Sequence, residues 1–465
     1  MSPRSGQRAR SPRTIELVLL VFSVAIAMAA YAAVGLAHDG VLPAGMLGYG
    51  GGLALLFGIA HLALRKFAPD TDPVLLPTVT VINGLGLAVI HRLDLAYADR
   101  AEQLGRAVPS PAAPAQLTWT AVGVILFVAV LVLVRDHRVL QRFTYTAMLA
   151  GLVLLVLPLL PFIGTTINGA RIWIRLAGFS FQPGELAKIV LLVFFAGYLV
   201  VKRDVLALAS RRVAGIDLPR ARDLGPVVVA WVASLGVLVF ERDLGTSLLF
   251  FGVFVAMLYV ATERLSWLLI GFLLFLSGSF LAWSMFGHVQ ERVDIWLHAF
   301  APRNINSDSY QLVQGLFGMG SGGLLGTGLG QGRPDIVPYA QTDFIVAAIG
   351  EELGLTGIMA LLILYAIVVQ RGLRTAIAVR DAFGKLLAAG LAFSLALQVF
   401  VVVGGVTRLI PLTGLTMPFL SYGGSSLVAN WALVALLARI SDAARRPAPP
   451  PGASLADAKT QVVHL

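Results

Sequence analysis

Windows of about twenty apolar residues recur along nearly the whole chain. As helices, each is long enough to cross a hydrocarbon core ~30 Å thick. Lipid offers no hydrogen bonds, so a spanning segment must satisfy its own backbone, as a helix or within a closed barrel. A barrel would show ~10-residue segments of alternating polarity; these windows are apolar on every side. The expected fold is therefore all-α, a polytopic transmembrane helical bundle. Only 13% of the 465 residues are charged, against about a quarter in a soluble protein.

Twelve spans are read, at 14–36, 44–64, 73–93, 117–134, 145–162, 184–201, 225–240, 244–262, 265–286, 343–369, 384–403 and 420–439. The first follows a basic stretch, as a signal peptide would, but its apolar run is long enough for an anchor. An even number places both termini on one side, and Lys and Arg decide which. Basic residues gather before the first span, after the second, fourth, sixth and tenth, and beyond the last. Assigning these clusters to the cytoplasm puts about 23 of the 35 basic residues inside, with both termini cytoplasmic. The formal charge of +10 is then a topology signal. The aromatic residues that stack on single strands do not interleave these loops, so membrane lipid is an expected partner and nucleic acid is not. The chain has no cysteine, which excludes disulfides, cysteine-ligated zinc and thiol nucleophiles.

Residues 1–13 read as a disordered basic N-terminus and 14–72 as a helical pair. Residues 73–441 form the core, and 442–465, with its run of prolines, reads as a disordered cytosolic tail. The segment 96–116 reads as a plain outer connector. The largest outer segment, 287–342 between spans nine and ten, is polar and rich in glycine.

Asp343 stands where this loop meets the tenth span. A carboxylate at mid-bilayer costs about 2.5–3.5 kcal/mol, so a functional site is its first reading and a helix N-cap its plain one. Glu351 and Glu352 follow about two turns deeper and need interior partners. Glu185 and Lys188, at i and i+3 in the sixth span, share a face. They are either a structural ion pair or the wall of a cavity for an anionic ligand. Arg171, Trp173 and Arg175 alternate with apolar residues, as interface anchors or as cavity groups. Asp243 either caps the eighth span or lines the same cavity. Gln311 and Gln314 lie on an amphipathic stretch of the outer loop. The glycines at 318, 320 and 323 fit a dinucleotide fingerprint but follow no strand, so their exposed N–H groups and tight turns are what remains. Arg408 and the small residues around Ser421, Gly423, Gly424 and Ser425 suggest a broken start to the last span, tolerated where it lines a cavity.

Taken in order, NGA at 168–170 with Trp173, FQPGELAK at 181–188, DLGT at 243–246, YQLVQ with SGGLLGTGLG, TDFI at 342–345, GEELG at 350–354 and PLTGLTMPFLSYGGSS at 411–426 resemble the SEDS family of RodA/FtsW-type peptidoglycan glycosyltransferases. The resemblance covers about residues 73–441, is closer to the elongation type, and makes the first two spans an extra N-terminal pair. It implies polymerisation of lipid II into glycan strands at the outer face of a bacterial cytoplasmic membrane, supporting cell elongation and shape. It implies three partners: lipid II, the nascent strand, and a class B penicillin-binding transpeptidase. The family's essential Asp falls on Asp343, and its Glu and Lys on Glu185 and Lys188. Gly184, Tyr339 and Gln341 stand where the family has Ser, Glu and His. Arg171 lies one place early, and Glu241-Arg242 replaces Gln-Pro.

The chemistry expected is glycosyl transfer through an oxocarbenium-like centre. Asp343 serves either as general base toward the acceptor's 4-hydroxyl or as ligand to a divalent cation, Mg or Mn. Arg171, Lys188, Arg408 or that cation would neutralise the departing pyrophosphate. The competing classes are a flippase for lipid-linked precursors, with a path through both leaflets, and a non-catalytic scaffold.

Overall fold

The computed structural model describes residues 12–446 except 168, 177–178, 208, 214–215 and 220–224. The expected tail beyond 446, most of the basic N-terminus and Asn168 of the expected turn lie outside the described residues. Fifteen α-helices are described: α1 (Pro12–Asp39), α2 (Met46–Phe67), α3 (Leu75–Gln103), α4 (Ala112–Leu133), α5 (Thr144–Val156), α6 (Pro183–Ala207), α7 (Gly225–Glu241), α8 (Leu244–Thr262), α9 (Leu265–Met285), α10 (Gly287–Leu297), α11 (Tyr310–Gly322), α12 (Ile345–Glu352), α13 (Gly354–Ala378), α14 (Ala382–Val406) and α15 (Gly424–Arg445).

Among the described residues, eleven helical segments are long and apolar enough to cross a membrane. The helix α7, at 17 residues, sits at the lower limit of about 17 and completes the twelve. Hydropathy does not say which of them is central. The best window of α14 averages 2.4 and is 72% buried in protein, whereas that of α9 averages 2.1 and is 28% buried. Helix α15 is the axis, with 89% of its window buried. Its Trp431 is fully buried and meets the rings of Phe57, Phe127 and Phe419 at centroid distances of 5.5–5.8 Å. Small residues bring backbones together, as expected where apolar burial does not drive helix pairing. A side chain at Gly86 on α3 would sit 2.4 Å from the Leu420 carbonyl oxygen.

The helical pair α1–α2 is integrated into the bundle. Ser23 donates to the Pro77 carbonyl at 2.9 Å and Tyr49 to that of Gly84 at 2.9 Å. At the cytoplasmic end Thr71 donates to Ala438 of α15 at 2.9 Å, and the Asp70 N–H to Asp442 at 2.8 Å. The expected connector 96–116 is mostly helix. Helix α3 runs on to Gln103, Asp94 caps α4 through the N–H groups of Ala112 and Ala113 at 2.8 Å each, and Gln116 is fully buried.

Two departures from the all-α expectation occur. Strands β1 (Gly164–Ile167), β2 (Ala170–Leu176) and β3 (Phe179–Phe181) form an antiparallel sheet outside the membrane. The alternation of Arg171, Trp173 and Arg175 is thus a strand period. On the cytoplasmic side β4 (Ala209–Val213) pairs with β5 (Ile216–Pro219).

The tenth expected span, 343–369, is not one helix. It breaks at Leu353–Gly354 into α12 and the spanning α13. The glycine-rich loop docks in the break. Thr327 and Gly328 donate backbone N–H groups to the carbonyls of Glu351 and Glu352, both at 2.9 Å, while Leu355 and Thr356 donate to Gly323 and Leu324 at 3.0 Å. These bonds satisfy the opened backbone, which is why a non-helical turn is tolerated there. Glu351 and Glu352 therefore end a short helix instead of lying two turns into a span.

Candidate active site

Asp343 lies in the outer loop, two residues before α12 begins. Phe344 anchors it, fully buried against α11 where Gly315 leaves room for its ring. The Asp343 carboxylate accepts from the Thr342 hydroxyl at 2.8 Å and does not cap the helix, whose N-cap position is Phe344. Its side chain is partly exposed. Burial among protein groups raises its pKa, against the opposing effects of Thr342, its own N–H and the charge of Arg292.

Arg292 was missed by sequence reasoning. It lies on α10, its Nη1 donates to the Leu412 carbonyl at 2.7 Å, and its charge acts on both Asp343 and Asp243. It also lines an apolar cavity of about 400 Å³, with Trp231, Phe251, Phe275, Phe400 and Leu412. A cation in the wall of an apolar slot suits a ligand with an anionic head and a hydrocarbon tail. No local pattern marks Arg292 in the sequence; the one available signal is the amphipathic alternation of α10, with Val289, Val293 and Trp296 set among polar residues.

Glu185 and Lys188 are buried and paired at 3.0 Å. Lys188 also donates to Gln398 Oε1 at 2.9 Å, and Gln398 Nε2 donates to the Thr416 carbonyl at 2.9 Å. The pair is thereby joined to the non-helical segment before α15. Asp243 is buried, caps α8 and accepts from the Thr246 N–H at 2.9 Å and hydroxyl at 2.7 Å. Ser421, Gly423 and Ser425 brace the same segment. Ser421 Oγ accepts from the Met417 N–H and Ser425 Oγ from the Gln182 N–H, both at 2.9 Å. The Gln116 side chain spans the Ser421 carbonyl at 2.9 Å and the Gly423 N–H at 3.3 Å. Gly424 meets Trp119, leaving no room for a side chain. Gln311 donates to the Pro338 carbonyl at 2.8 Å, and Gln314 is half-buried on the same helix, α11.

Two cations expected at the site are committed elsewhere. Arg171 donates to the carbonyls of Pro158 and Leu160 at 3.1 Å each, pinning its own sheet, with Trp173 beside it on β2. Arg408 donates to Trp296 at 2.7 Å and Leu297 at 2.8 Å, closing the C-terminal turn of α10. Left-handed backbone at non-glycine residues costs of order 1–3 kcal/mol. Four of the six such residues described, Arg242, Tyr339, Arg408 and Phe419, lie in these outer segments. Among the described residues no group of three or more His, Cys, Asp and Glu converges. A divalent cation would rest on Asp343 as its one carboxylate, with substrate phosphate oxygens and water completing the shell, as magnesium favours.

Residues 73–446 match the FtsW/RodA/SpoVE family, described as "Cell cycle protein". The "Peptidoglycan glycosyltransferase RodA" of Mycobacterium tuberculosis is 54% identical over 436 residues, covering 94% of this chain and 92% of that protein. Its counterpart in Mycobacterium leprae is 52% identical and covers 97% and 96%, a span too long to leave out α1 and α2. A solved structure titled "Structural coordination of polymerization and crosslinking by a peptidoglycan synthase complex" matches with a TM-score of 0.52 and 26% identity, over 85% of this chain and 96% of that one. The chain is a multi-pass membrane protein and belongs to the FtsW/RodA/SpoVE family.

Proposed function

We propose that this chain is the peptidoglycan glycosyltransferase that polymerises lipid II at the outer face of the cytoplasmic membrane, in support of cell elongation. The observation that carries the reading is an apolar outer cavity walled by Arg292, a cation whose charge acts on the carboxylate of Asp343 in the adjoining loop. Asp343 removes the proton of the acceptor's 4-hydroxyl. That oxygen attacks the donor's anomeric carbon, the bond from carbon to phosphate oxygen breaks, and the lipid pyrophosphate leaves with the electron pair. The leaving group needs neutralisation more than a proton, and Arg292 supplies a cation at the cavity wall. A divalent cation bound with the substrate would add to that neutralisation. The prenyl tail stays in lipid or in the apolar slot, which accounts for a polymerase embedded in the membrane. A penicillin-binding transpeptidase as partner fits the complex named in the structural match.

The test is polymerisation of purified lipid II by the wild-type chain and by Asp343→Asn, each with its transpeptidase partner, with and without chelator. General-base catalysis contributes about 10²–10⁴-fold, so a loss of that size is expected from a variant with unchanged melting. Normal polymer from folded Asp343→Asn would remove the base assignment.

A further inference from the structure

The backbone between the glycine loop and Asp343 is held at several points by α3. Arg92 donates to Glu352 at 2.9 Å and to the Gly332 carbonyl at 2.8 Å. Arg100 bonds the Asp335 carbonyl, and the Tyr97 hydroxyl accepts from the Ala340 N–H at 3.3 Å. Glu352 in turn accepts from the Gly330 N–H at 3.0 Å. The opposite side of the Gly330 turn rests on α1. At φ +86, a side chain there would lie 2.6 Å from Ala37 Cβ and 3.3 Å from the Val34 carbonyl oxygen. The outer end of α1 is itself fixed to α3, where His38 Nε2 meets Asp99 at 2.8 Å. Gly330 is thus gripped between Glu352 and a helix outside the residues the family match covers.

We propose that α1 is a positioning element of the catalytic loop: its outer end, at Val34 and Ala37, fixes the Gly330 turn and through it the placement of Asp343. The contact is steric, made by Ala37 and the α1 backbone. The proposal rests on the reading of Asp343 as the base. It assigns α1 a role in turnover, beyond anchoring the chain.

The chain lacks cysteine, so a single Gln331→Cys on the exposed side of the turn takes one nitroxide in the full-length protein. Gly330→Ala should loosen that label. It should also lower kcat on lipid II, toward the ~100-fold loss a misplacement of about 1 Å can cause, with KM little changed. Ala37→Gly in the same chain removes the colliding methyl and should tighten the label again and recover most of kcat. No loosening, or no recovery by Ala37→Gly, overturns the proposal, because strain at a positive φ alone is blind to Ala37. Should Gly330→Ala not fold, His38→Ala, which releases α1 from Asp99, is read in both assays. An unchanged label with wild-type kcat then overturns it. A wild-type chain inactive on lipid II would sink the functional reading while leaving the label comparison intact.

Discussion

Burial raises the pKa of Asp343, and the Thr342 hydroxyl and the charge of Arg292 only partly offset it. A general base works ionised, so kcat/KM should climb with pH along an acid limb whose midpoint lies above the usual aspartate value of about 3.9. Arg292→Gln removes an opposing cation, which moves the limb to higher pH; Arg292→Lys should return part of the shift. Lipid II polymerisation across pH measures both, and an unmoved limb in Arg292→Gln would detach Arg292 from Asp343. The Glu185–Lys188 pair poses a different question at the same scale. Removing one partner of a buried pair costs about 3–5 kcal/mol, whereas replacing both with apolar groups can be nearly neutral. Lys188→Met should therefore melt well below wild type, and Glu185→Leu with Lys188→Met should recover. If the recovered double variant still fails to polymerise, the pair serves the ligand as well as the fold.

At the scale of elements, the break between α12 and α13 is what sets Asp343 at the edge of the membrane. Gly354 makes it, at φ +67, and a side chain there would meet the Gly326 nitrogen at 2.3 Å. The left-handed conformation alone costs a non-glycine residue about 1–2 kcal/mol, and the clash adds to it. Gly354→Ala should lower the melting temperature and abolish polymer. Gly48→Ala on α2, with open space around it, should be neutral or stabilising by up to about 1 kcal/mol. Equal melting of the two would mean the loop does not lock the break. This break was not legible in the sequence. The apolar run from Phe344 onward is helical in pattern on both sides of Gly354, and the partner that opens it, residues 323–328, is recognisable only once folded. The spans themselves were legible because length and apolarity are local properties. Glu185 and Lys188 stood out because an ionisable group in an apolar run is costly wherever it points, and Asp343 because it stands where such a run begins. Arg292 and Gln398 were not, since their meaning lies in partners distant along the chain. Arg171 and Arg408 misled for the same reason: a guanidinium beside a cavity motif looks the same in sequence whether it faces a ligand or two carbonyls.

The cytoplasmic side shows how the whole bundle is closed away from the chemistry. Asp381 precedes α14 and caps it through the Gly384 N–H, while His137, in the turn that joins α4 to α5, lies 2.9 Å from its carboxylate. Arg138 adds a contact at 3.4 Å. This cluster staples two loops from opposite halves of the chain. Burial opposes the ionised form of Asp381, but His137, the Gly384 N–H and Arg138 prevail and hold its pKa at about 2. A folded-state pKa below the unfolded value means that the folded chain resists the proton. The stabilisation is fully present above about pH 4 and is lost as pH falls toward 2. A depression of this size is worth on the order of 2 kcal/mol. In detergent, wild type should therefore lose melting temperature between about pH 4 and 2 more steeply than Asp381→Asn, which should start lower at neutral pH and decline less across that window. His137→Ala should weaken the same slope without removing the cap. Asp204→Asn, at a carboxylate 92% exposed, is the control expected to leave the profile alone. A wild-type profile parallel to that of Asp381→Asn would show that the two loops are held by α-helix packing alone, with the staple contributing nothing to the assembly of the bundle.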